Sequence, residues 1–210
     1  MKPIIKGSNS HDVDVSGSAG SRSAASPSDD ELLFQARAGD RRSFSKLIER
    51  YESVVAATVV GMLGPCPEAD DVGQETFIRF YRSISRFRGE SSLATYLTRI
   101  AINQSLKALK RRKRDNTRQL SRDEADRHEL YARGDANCDT DRLEQIKLVQ
   151  SAVGELNPAH RSVVVLRMFN GYSTKETATI LGIAPGTVMS RLSRALSKLE
   201  TKLSPLISDG

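Results

Sequence analysis

The sequence predicts an all-α protein of two small helical domains, joined by a flexible charged linker, with a helix-turn-helix in the second domain. Apolar residues recur at the three- and four-residue spacing of helices, and no segment alternates apolar and polar residues as a strand does. A stretch of mainly small residues precedes the two helical blocks, and a stretch of mainly charged residues separates them. The predicted parts are a disordered extension at 1–27, helical domains at 28–114 and 140–204, and the linker at 115–139.

Four helices are expected in the first domain. Ser28 and Glu31 have the spacing of a capping box in front of an apolar run, and Gly39 can end that first helix. The other three helices are expected over residues 44–62, 67–86 and 93–114, because Gly and Pro residues interrupt the periodicity between them.

Four more helices are expected in the second domain, the last two forming the helix-turn-helix. Ser173 and Glu176 form another capping box. Ala178 is small where the two helices cross, Gly182 supplies a left-handed turn residue, and Val188 returns to the core. This spacing holds the second helix clear for a DNA major groove, although an ordinary helical hairpin is the alternative. The polar groups that can reach DNA are Thr187, Ser190, Arg191 and Arg194.

Composition restricts the possible functions. The net charge of +6 suits a polyanionic partner. Cys66 and Cys138 are far apart, which argues against a disulfide scaffold or a metal site and fits a reducing cytosol. No apolar run approaches the roughly 18 residues of a membrane helix, and the first residues lack the apolar core of a secretory signal. We therefore expect a cytoplasmic protein, not an integral membrane protein, without metal, cofactor or small-molecule substrate.

One face of the third helix has the composition of a protein interface. Ile78 is placed among acidic and amide groups, as an apolar anchor within a polar rim. The face consists of Asp71, Gln74, Glu75 and Ile78. Single exposed isoleucines are also common on ordinary surfaces, so both interpretations remain open from composition alone.

The fourth helix is apolar on two opposite sides, which predicts that it is sandwiched between neighbours. A basic stripe runs between these sides and could bind phosphates: Arg99, Asn103, Lys107, Lys110 and Arg114. Tyr96, at the start of the helix, could stack on an unpaired base. The alternative is that Tyr96 and Phe87 are core residues beside a turn, which we favour for Phe87.

Together these motifs resemble the extracytoplasmic-function (ECF) sigma factors, the smallest class of bacterial sigma factor. The resemblance covers roughly residues 29–110 and 143–200, with the motifs in the family's order and at its separations. It rests on DDELLFQARAGDRRSFSKLIERY, on DDVGQETFIRFYRSISRFRG with TYLTRIAINQSLKALKRRKR, and on LNPAHRSVVVLRMFNGYSTKETATILGIAPGTVMSRLSRAL.

The resemblance implies a factor that directs core RNA polymerase to specific promoters and helps to open the DNA, while polymerase remains the enzyme. It implies that Asp71, Gln74, Glu75 and Ile78 bind polymerase. The loop and helix that follow would hold the −10 element as a single strand with a flipped base, through Arg88, Ser91, Ser92, Tyr96, Arg99, Asn103 and Lys107. The last helix would read the −35 element as duplex, through Thr187, Met189, Ser190, Arg191 and Arg194. An anti-sigma factor is implied as a further partner.

Four positions depart from the family pattern. Tyr96 stands where tryptophan is usual, so its stacking is expected to be weaker. Gly73 replaces an aliphatic residue inside a helix, at a cost of roughly 0.5–1 kcal/mol. Thr177 replaces an aliphatic core residue and brings a hydroxyl that needs a partner. Met189 takes a position that is often basic, which alters the expected −35 contacts.

Two other classes of protein were weighed. A conventional helix-turn-helix regulator would bind duplex DNA without polymerase, but it would need a receiver or ligand domain that the first block does not suggest. An enzyme would need a catalytic motif, and the chain has no HExxH, GxSxG, P-loop or paired-cysteine site. Of its histidines, His11 and His128 fall in predicted disorder, and His160 fits a structural position in the first turn of a helix.

Overall fold

The computed structural model describes residues 27–119 and 140–207 as helices with short connections, and these residues contain no strand, which confirms the all-α prediction. The predicted N-terminal extension, apart from Pro27, lies outside the described residues, as does the linker from residue 120 onward. The helices are α1 (Asp29–Arg37), α2 (Arg41–Leu63), α3 (Pro67–Ser83), α4 (Leu93–Gln119), α5 (Thr140–Gly154), α6 (Pro158–Val164), α7 (Thr174–Leu181) and α8 (Pro185–Ile207). A 3₁₀ turn follows α3 at Ile84–Arg86, and a π-helical turn follows α6 at Val165–Phe169.

Local sequence sets the ends of the first helices. The predicted capping box is present, since the Ser28 side chain accepts from the Glu31 amide and the Glu31 carboxylate accepts from the Ser28 amide at 2.8 Å. Asp40 caps α2 by accepting from two amides of its first turn. Gly64 ends α2 with a φ of 79°, a left-handed value that favours glycine. Pro67 then occupies the first turn of α3, where its missing N–H is no loss.

Helices α1–α4 form a first unit around an apolar core. Phe80 of α3 is fully buried and stacks on Phe44 of α2, with ring centroids 5.8 Å apart. Helix α4 packs against both α2 and α3. The largest fully buried side chains of this unit are Leu32, Leu47, Val55, Val59, Met62, Phe80, Leu97 and Ile102.

Helices α5–α8 form a second unit that contains the predicted helix-turn-helix. Val163, Ala178 and Val188 make a small buried cluster where α6, α7 and α8 meet. Gly182 ends α7 in the left-handed conformation, at φ 65° and ψ 37°. Because glycine adopts this conformation without a side-chain clash, the chain can turn sharply into α8. The predicted roles of Ala178, Gly182 and Val188 are therefore confirmed.

Helix α4 is longer than predicted. It was expected to end near Arg114, with the linker beginning at 115, but the helix continues to Gln119. The predicted helix end near Arg114 is therefore too early, while the domain bounds of 28–114 and 115–139 stay predictions.

Contacts that are distant in sequence explain the longer helix. Glu68 of α3 forms ion pairs with Arg111 and Arg112 of α4. Arg112 also donates to the carbonyl oxygen of Leu63 at 3.2 Å, at the end of α2. These contacts fix the helix where its own sequence is highly charged, and the Thr117 hydroxyl adds a bond to the Lys113 carbonyl one turn later. A stretch that looks like a tether therefore begins as helix.

The two units pack against each other. Val165, Leu166 and Ile180 of the second unit are buried in the same apolar cluster as the core of the first. Helix α4 contacts α6 and α7 in addition to α2 and α3. The prediction that α4 is sandwiched is confirmed, and one of its covering layers is the other unit.

Candidate nucleic-acid and polymerase interfaces

The predicted interface face of α3 is exposed. The side chain of Ile78 is 45% exposed, and Asp71 and Gln74 are also exposed, while Glu75 is half-buried. Gln74 and Ile78 border a groove of about 990 Å³ between α2 and α3, whose floor is mainly apolar. Asp71 and Glu75 border a different depression, on the side of α3 that faces α4. The structure thus brings the four residues onto one face that separates two concave surfaces.

The side of α3 that faces α4 changes charge along its length. Its first half carries the acidic groups, including Glu68, whose pKa is lowered. Burial alone would raise that pKa, but the hydrogen bonds and positive charges of Arg112 and Arg111 outweigh burial. Past Glu75, the charged residues that line this side are basic: Arg79 and Arg82 of α3, and Arg86 of the 3₁₀ turn. An acidic patch is thereby followed by a positive one.

The basic half of α3 and the basic stripe of α4 line an open cleft of about 690 Å³. Three predicted −10 residues lie in its walls: Tyr96, Asn103 and Lys107. The cleft also contains Lys110 and the three arginines Arg79, Arg82 and Arg86. Of these cations, Arg79 pairs with Glu75 at 2.7 Å, and no ion pair is present for the others among the described residues. A concave surface with this excess of positive charge suits a phosphodiester backbone.

Tyr96 connects the cleft to the core. Its ring lies 4.9 Å from that of Phe87 and 6.2 Å from that of Phe80, and its hydroxyl donates to Ser83 Oγ at 3.0 Å. Phe87 is buried, which confirms the core assignment favoured from the sequence. Tyr96 is half-buried, so part of its ring packs inward while the rest lines the cleft. This fixed position limits its stacking on a base to the exposed part of the ring.

The loop before α4 supplies one residue with a structural role. Ser92 Oγ accepts from the Thr95 amide at 3.2 Å and therefore caps the start of α4. Arg88 is exposed, with Glu90 at 4.0 Å, and Ser91 is half-buried. Arg88 is thus available to DNA, whereas Ser92 already has a local function.

Arg99, another predicted −10 residue, contacts the second unit. Its guanidinium donates to the carbonyl oxygen of Thr179 in α7. The neighbouring Thr98 is fully buried and shares a hydrogen bond of 2.8 Å with the Tyr172 hydroxyl. Thr98 is therefore buried against the second unit, whereas Arg99 contacts α7 and remains exposed.

The outer face of α8 carries the predicted −35 residues. Met189, Ser190 and Arg194 are exposed, and Thr187 and Arg191 are half-buried. Met189 is not free, because its sulfur accepts from the Thr174 hydroxyl at 3.6 Å.

The same face is strongly positive. The pKa of His160 at the start of α6 is lowered, first by burial and then by the charges of Lys198, Arg194 and Arg191. Those three cations of α8 consequently share one side of the helix with His160. A helix with such an outer face is suited to duplex DNA.

Sequence reasoning missed the three arginines of the cleft. None of Arg79, Arg82 and Arg86 was among the residues predicted to bind polymerase or DNA. Their spacing of three and four residues was a usable signal, since it puts them on one side of a helix. The sequence alone did not indicate on which side of α3 the helix α4 packs.

Some classes of site can be tested directly. Among residues 27–119 and 140–207 no group of three or more His, Cys, Asp or Glu side chains could hold a metal ion. Within those ranges no helix is both long and apolar enough to span a bilayer.

Comparison with known families is consistent with this geometry. The family description "Sigma-70 region 2" matches residues 47–115, and "Sigma-70, region 4" matches residues 146–199. The first match covers most of α2–α4 with the cleft, and the second covers the helix-turn-helix.

Relatives extend the similarity over most of the chain. The RNA polymerase sigma-H factor of Pseudomonas aeruginosa is 31% identical over 86% of this chain and 96% of its own length. The ECF RNA polymerase sigma-E factor of Escherichia coli is 33% identical over 85% of this chain and 96% of its own. The chain belongs to the ECF sigma factor family. This ECF sigma factor serves promoter recognition by RNA polymerase, and the alternative of a conventional duplex-binding regulator is not supported.

Two solved structures have a similar fold. CnrH, in complex with the cytosolic domain of CnrY, is 28% identical with a TM-score of 0.59, over 83% of this ECF sigma factor and 96% of CnrH. The sigma factor RpoE of Bartonella quintana, in complex with the anti-sigma factor NepR, is 21% identical with a TM-score of 0.65, over 78% and 98% of the two chains. The latter likeness concerns the fold alone.

Proposed function

We propose that this sigma factor uses three separate surfaces to bring core RNA polymerase to a promoter and to open it in the cytoplasm. The α3 face binds polymerase, the α3–α4 cleft holds the opened −10 strand, and α8 reads the −35 duplex. The observation that carries the proposal is that one chain has two positive surfaces of different shape. One is a concave cleft beside an aromatic ring, and the other is a convex helix.

The cleft is suited to single-stranded DNA. Asn103, Lys107 and Lys110 on one wall, with Arg82 and Arg86 on the other, can follow the phosphates of a strand. Part of the Tyr96 ring lines the same cleft and can contact a base, and a stacked base contributes about 1–3 kcal/mol. Because these contacts require an unpaired strand, their binding energy favours opening over the closed duplex.

Helix α8 is suited to duplex DNA. Arg191 and Arg194 are neighbours on its outer face, and Ser190 lies beside them. An arginine can donate two hydrogen bonds to one guanine edge in the major groove. Met189 puts an apolar side chain where a cation would have bound a DNA phosphate. We therefore expect −35 binding to depend more on Arg194 and less on contacts to the DNA backbone.

The α3 face is suited to a protein partner. Ile78 is exposed beside Gln74 at the edge of the apolar groove, with Asp71 and Glu75 behind it. We propose that core polymerase binds this face. We also propose that an anti-sigma factor competes for the groove, because a sigma factor of similar fold, RpoE, was solved with such a partner. These roles are non-catalytic, and polymerase performs the chemistry.

Run-off transcription with core polymerase tests the proposal. Ile78→Asp should abolish transcription and core binding while leaving the helical circular dichroism unchanged, because a charge in an apolar contact stays unpaired. Ile146→Asp is the control, since Ile146 of α5 is exposed to a similar extent, 44%, and lies outside the three surfaces. Wild-type core affinity of Ile78→Asp would refute the polymerase face.

A further inference from the structure

The groove between α2 and α3 has room for an apolar ligand. Its volume is about 990 Å³, and the rings of Phe44 and Phe77 in its lining are only partly buried. Ile78 and Tyr81 at its edge are 45% and 52% exposed. Gly73 also lines the groove, and a Cβ added there would meet no atom within 4 Å. This glycine leaves space that an aliphatic side chain, usual at the position in the family pattern, would fill.

The charges around the groove favour a basic ligand. Three acidic residues line it, Asp40, Glu52 and Asp70, against one basic residue, Arg41. None of the four makes an ion pair within the part of the chain that the structure describes. Glu52 and Asp70 are exposed, so their carboxylates can pair with cations of a ligand that lies on the apolar floor.

A short segment near the beginning of the sequence has both properties. Residues 2–6 read KPIIK, so Ile4 and Ile5 lie between Lys2 and Lys6. Isoleucine is stiff about χ1, and it therefore loses little side-chain freedom when it is ordered on a surface. Two apolar side chains between two cations thus complement an apolar groove with acidic edges.

Other segments outside the described residues complement the groove less well. Val13 and Val15 are the next large apolar residues along the chain, but Asp12 and Asp14 accompany them. Residues 120–139 contain six acidic residues against three basic ones. Like charges repel, so both segments would be disfavoured at an acidic groove. Charge therefore distinguishes the KPIIK segment from the alternatives within this chain.

The chain between this segment and α1 is long enough to reach the groove. The Pro27 carbonyl oxygen accepts from Arg50 Nη2 at 2.8 Å, so the described chain begins beside α2. Arg50 is within one turn of Ile48 and Glu52, which line the groove, and a helix is only about 10–12 Å across. Residues 7–26 are mainly serine, glycine and alanine. A chain of that length and composition has a root-mean-square span of about 25 Å, which matches the path around α2.

We propose that residues 2–6 bind in the α2–α3 groove of the same chain and compete there with polymerase. A short linker gives such a segment an effective concentration of about 1 mM. A dissociation constant of about 0.1 mM would then keep roughly nine molecules in ten docked. Ile78 borders the groove and belongs to the proposed polymerase face, so docking lowers the apparent affinity for polymerase to the undocked fraction. This consequence rests on the proposed function, whereas the docking does not.

Methyl NMR of the full chain, labelled at isoleucine, tests the docking. Wild type should show contacts from the Ile4 or Ile5 methyl groups to those of Ile48, which lines the groove. The double change Ile4→Asp with Ile5→Asp should remove the contacts and shift the Ile48 resonance. Val13→Asp with Val15→Asp is the matched control, because it adds the same charge, and it should leave both unchanged. Absence of the contacts in wild type would overturn the docking.

Dilution of the labelled chain with unlabelled wild type identifies the occupant. A contact within one chain keeps its intensity relative to the other signals of the labelled chain, whereas a contact between two copies weakens. Unchanged relative intensity is the expected result. Weakening would assign the groove to a second copy of the chain and would overturn the intramolecular proposal.

A charge reversal on α2 tests the electrostatic part. Glu52 and Glu49 are both exposed on α2, but only Glu52 lines the groove. Glu52→Lys should weaken the contacts between the segment and Ile48, because it puts a cation where Lys2 or Lys6 would pair. Glu49→Lys makes the same change of charge outside the groove and should leave the contacts as in wild type. Equal contacts in the two variants would contradict the charge complementarity.

Titration of core polymerase tests the competition. If about nine molecules in ten are docked, Ile4→Asp with Ile5→Asp should bind core about tenfold more tightly than wild type. Val13→Asp with Val15→Asp should bind like wild type. Docking seen by NMR without tighter binding of the isoleucine variant would overturn the competition. If wild type and both variants failed to bind core, the proposed function would be refuted, and the NMR comparison would still decide the docking.

Discussion

At the residue scale, two glycines inside helices of the first unit have opposite environments. A Cβ at Gly73 of α3 meets nothing within 4 Å, whereas a Cβ at Gly61 of α2 meets the Val165 methyl groups at 3.0 Å. The sequence could identify Gly73 as a departure from the family pattern, because its cost in a helix does not depend on neighbours. It could not identify Gly61, whose constraint comes from residues of the other unit.

Alanine at these two positions should therefore have different effects. Gly73→Ala should raise the free energy of unfolding by about 0.5–1 kcal/mol through the helix preference alone. Gly61→Ala gains the same preference but loses inter-unit packing, so it should gain less or be destabilised. Urea denaturation of the pair measures this, and an equal gain at both positions would contradict the packing described for Gly61.

Thr177 is a second residue-scale case. A hydroxyl in need of a partner was expected there, and the structure buries Thr177 completely, with its Oγ1 unpaired among the described residues. Thr177→Val keeps the shape and removes the polar atom, so it should stabilise the protein by about 1 kcal/mol or more. Thr177→Ser, which keeps the hydroxyl and leaves a gap, should destabilise it. Destabilisation by valine in thermal unfolding would mean that the hydroxyl has a partner after all.

At the element scale, the sequence predicted helix ends correctly where the residues that determine them are close together in the chain. The capping boxes at Ser28 and Ser173 and the turn glycine Gly182 set helix ends because their partners are a few residues away. The extension of α4 to Gln119 was missed because Glu68, which holds it, is distant in sequence. The π-helical turn was missed for a similar reason, since it forms where Val165 packs on the other unit.

Glu68 gives the extension of α4 a pH dependence. Burial acts to raise its folded pKa, but the bonds and charges of Arg112 and Arg111 outweigh burial and lower it. A carboxylate with a lowered folded pKa stabilises the protein above its unfolded pKa and loses that effect as pH falls through the folded value. Glu68→Gln should thus cost roughly 1–2 kcal/mol near neutral pH, allowing for partial exposure. The cost should shrink as pH falls below the ordinary glutamate value of 4.5.

Glu75→Gln is the matched control for Glu68→Gln. Glu75 pairs with Arg79 one turn away, and both side chains are more than a third exposed. Such a pair contributes only about 0.3–0.5 kcal/mol. Denaturation of both variants across pH should show a large, pH-dependent loss only at Glu68. A cost at Glu68 that stayed constant into acid would show that its charge is not what holds α4.

At the scale of the whole molecule, the sequence predicted two helical units with a basic stripe on α4 and a basic outer face on α8, but not the contact between the units. The two apolar sides of α4 predicted that it is covered on both sides, but they did not predict that the second unit covers one of them. The charged stretch at 115–139 was interpreted as a flexible linker, which suggested independent units. The pattern of apolar residues in a helix predicts which of its sides is buried. It does not predict which helix covers that side, because this depends on packing between segments that are distant in sequence.

The cleft and α8 are proposed to act on different forms of promoter DNA, and this division is the central claim. Arg194→Ala should weaken binding to a duplex −35 element by roughly 1–3 kcal/mol if Arg194 contacts a base. On a template already opened as a bubble at −10, this loss should matter much less. Asn103→Ala should retain −35 binding and fail to open a closed promoter.

Permanganate footprinting of the −10 thymines, with core polymerase and each variant on duplex and bubble templates, is the most direct test. The account predicts no reactive thymines for Asn103→Ala on the duplex, and a defect of Arg194→Ala that is relieved on the bubble. Generic phosphate contacts would instead give similar losses on every template. Normal opening by Asn103→Ala, or an equal defect of Arg194→Ala on both templates, would contradict the account.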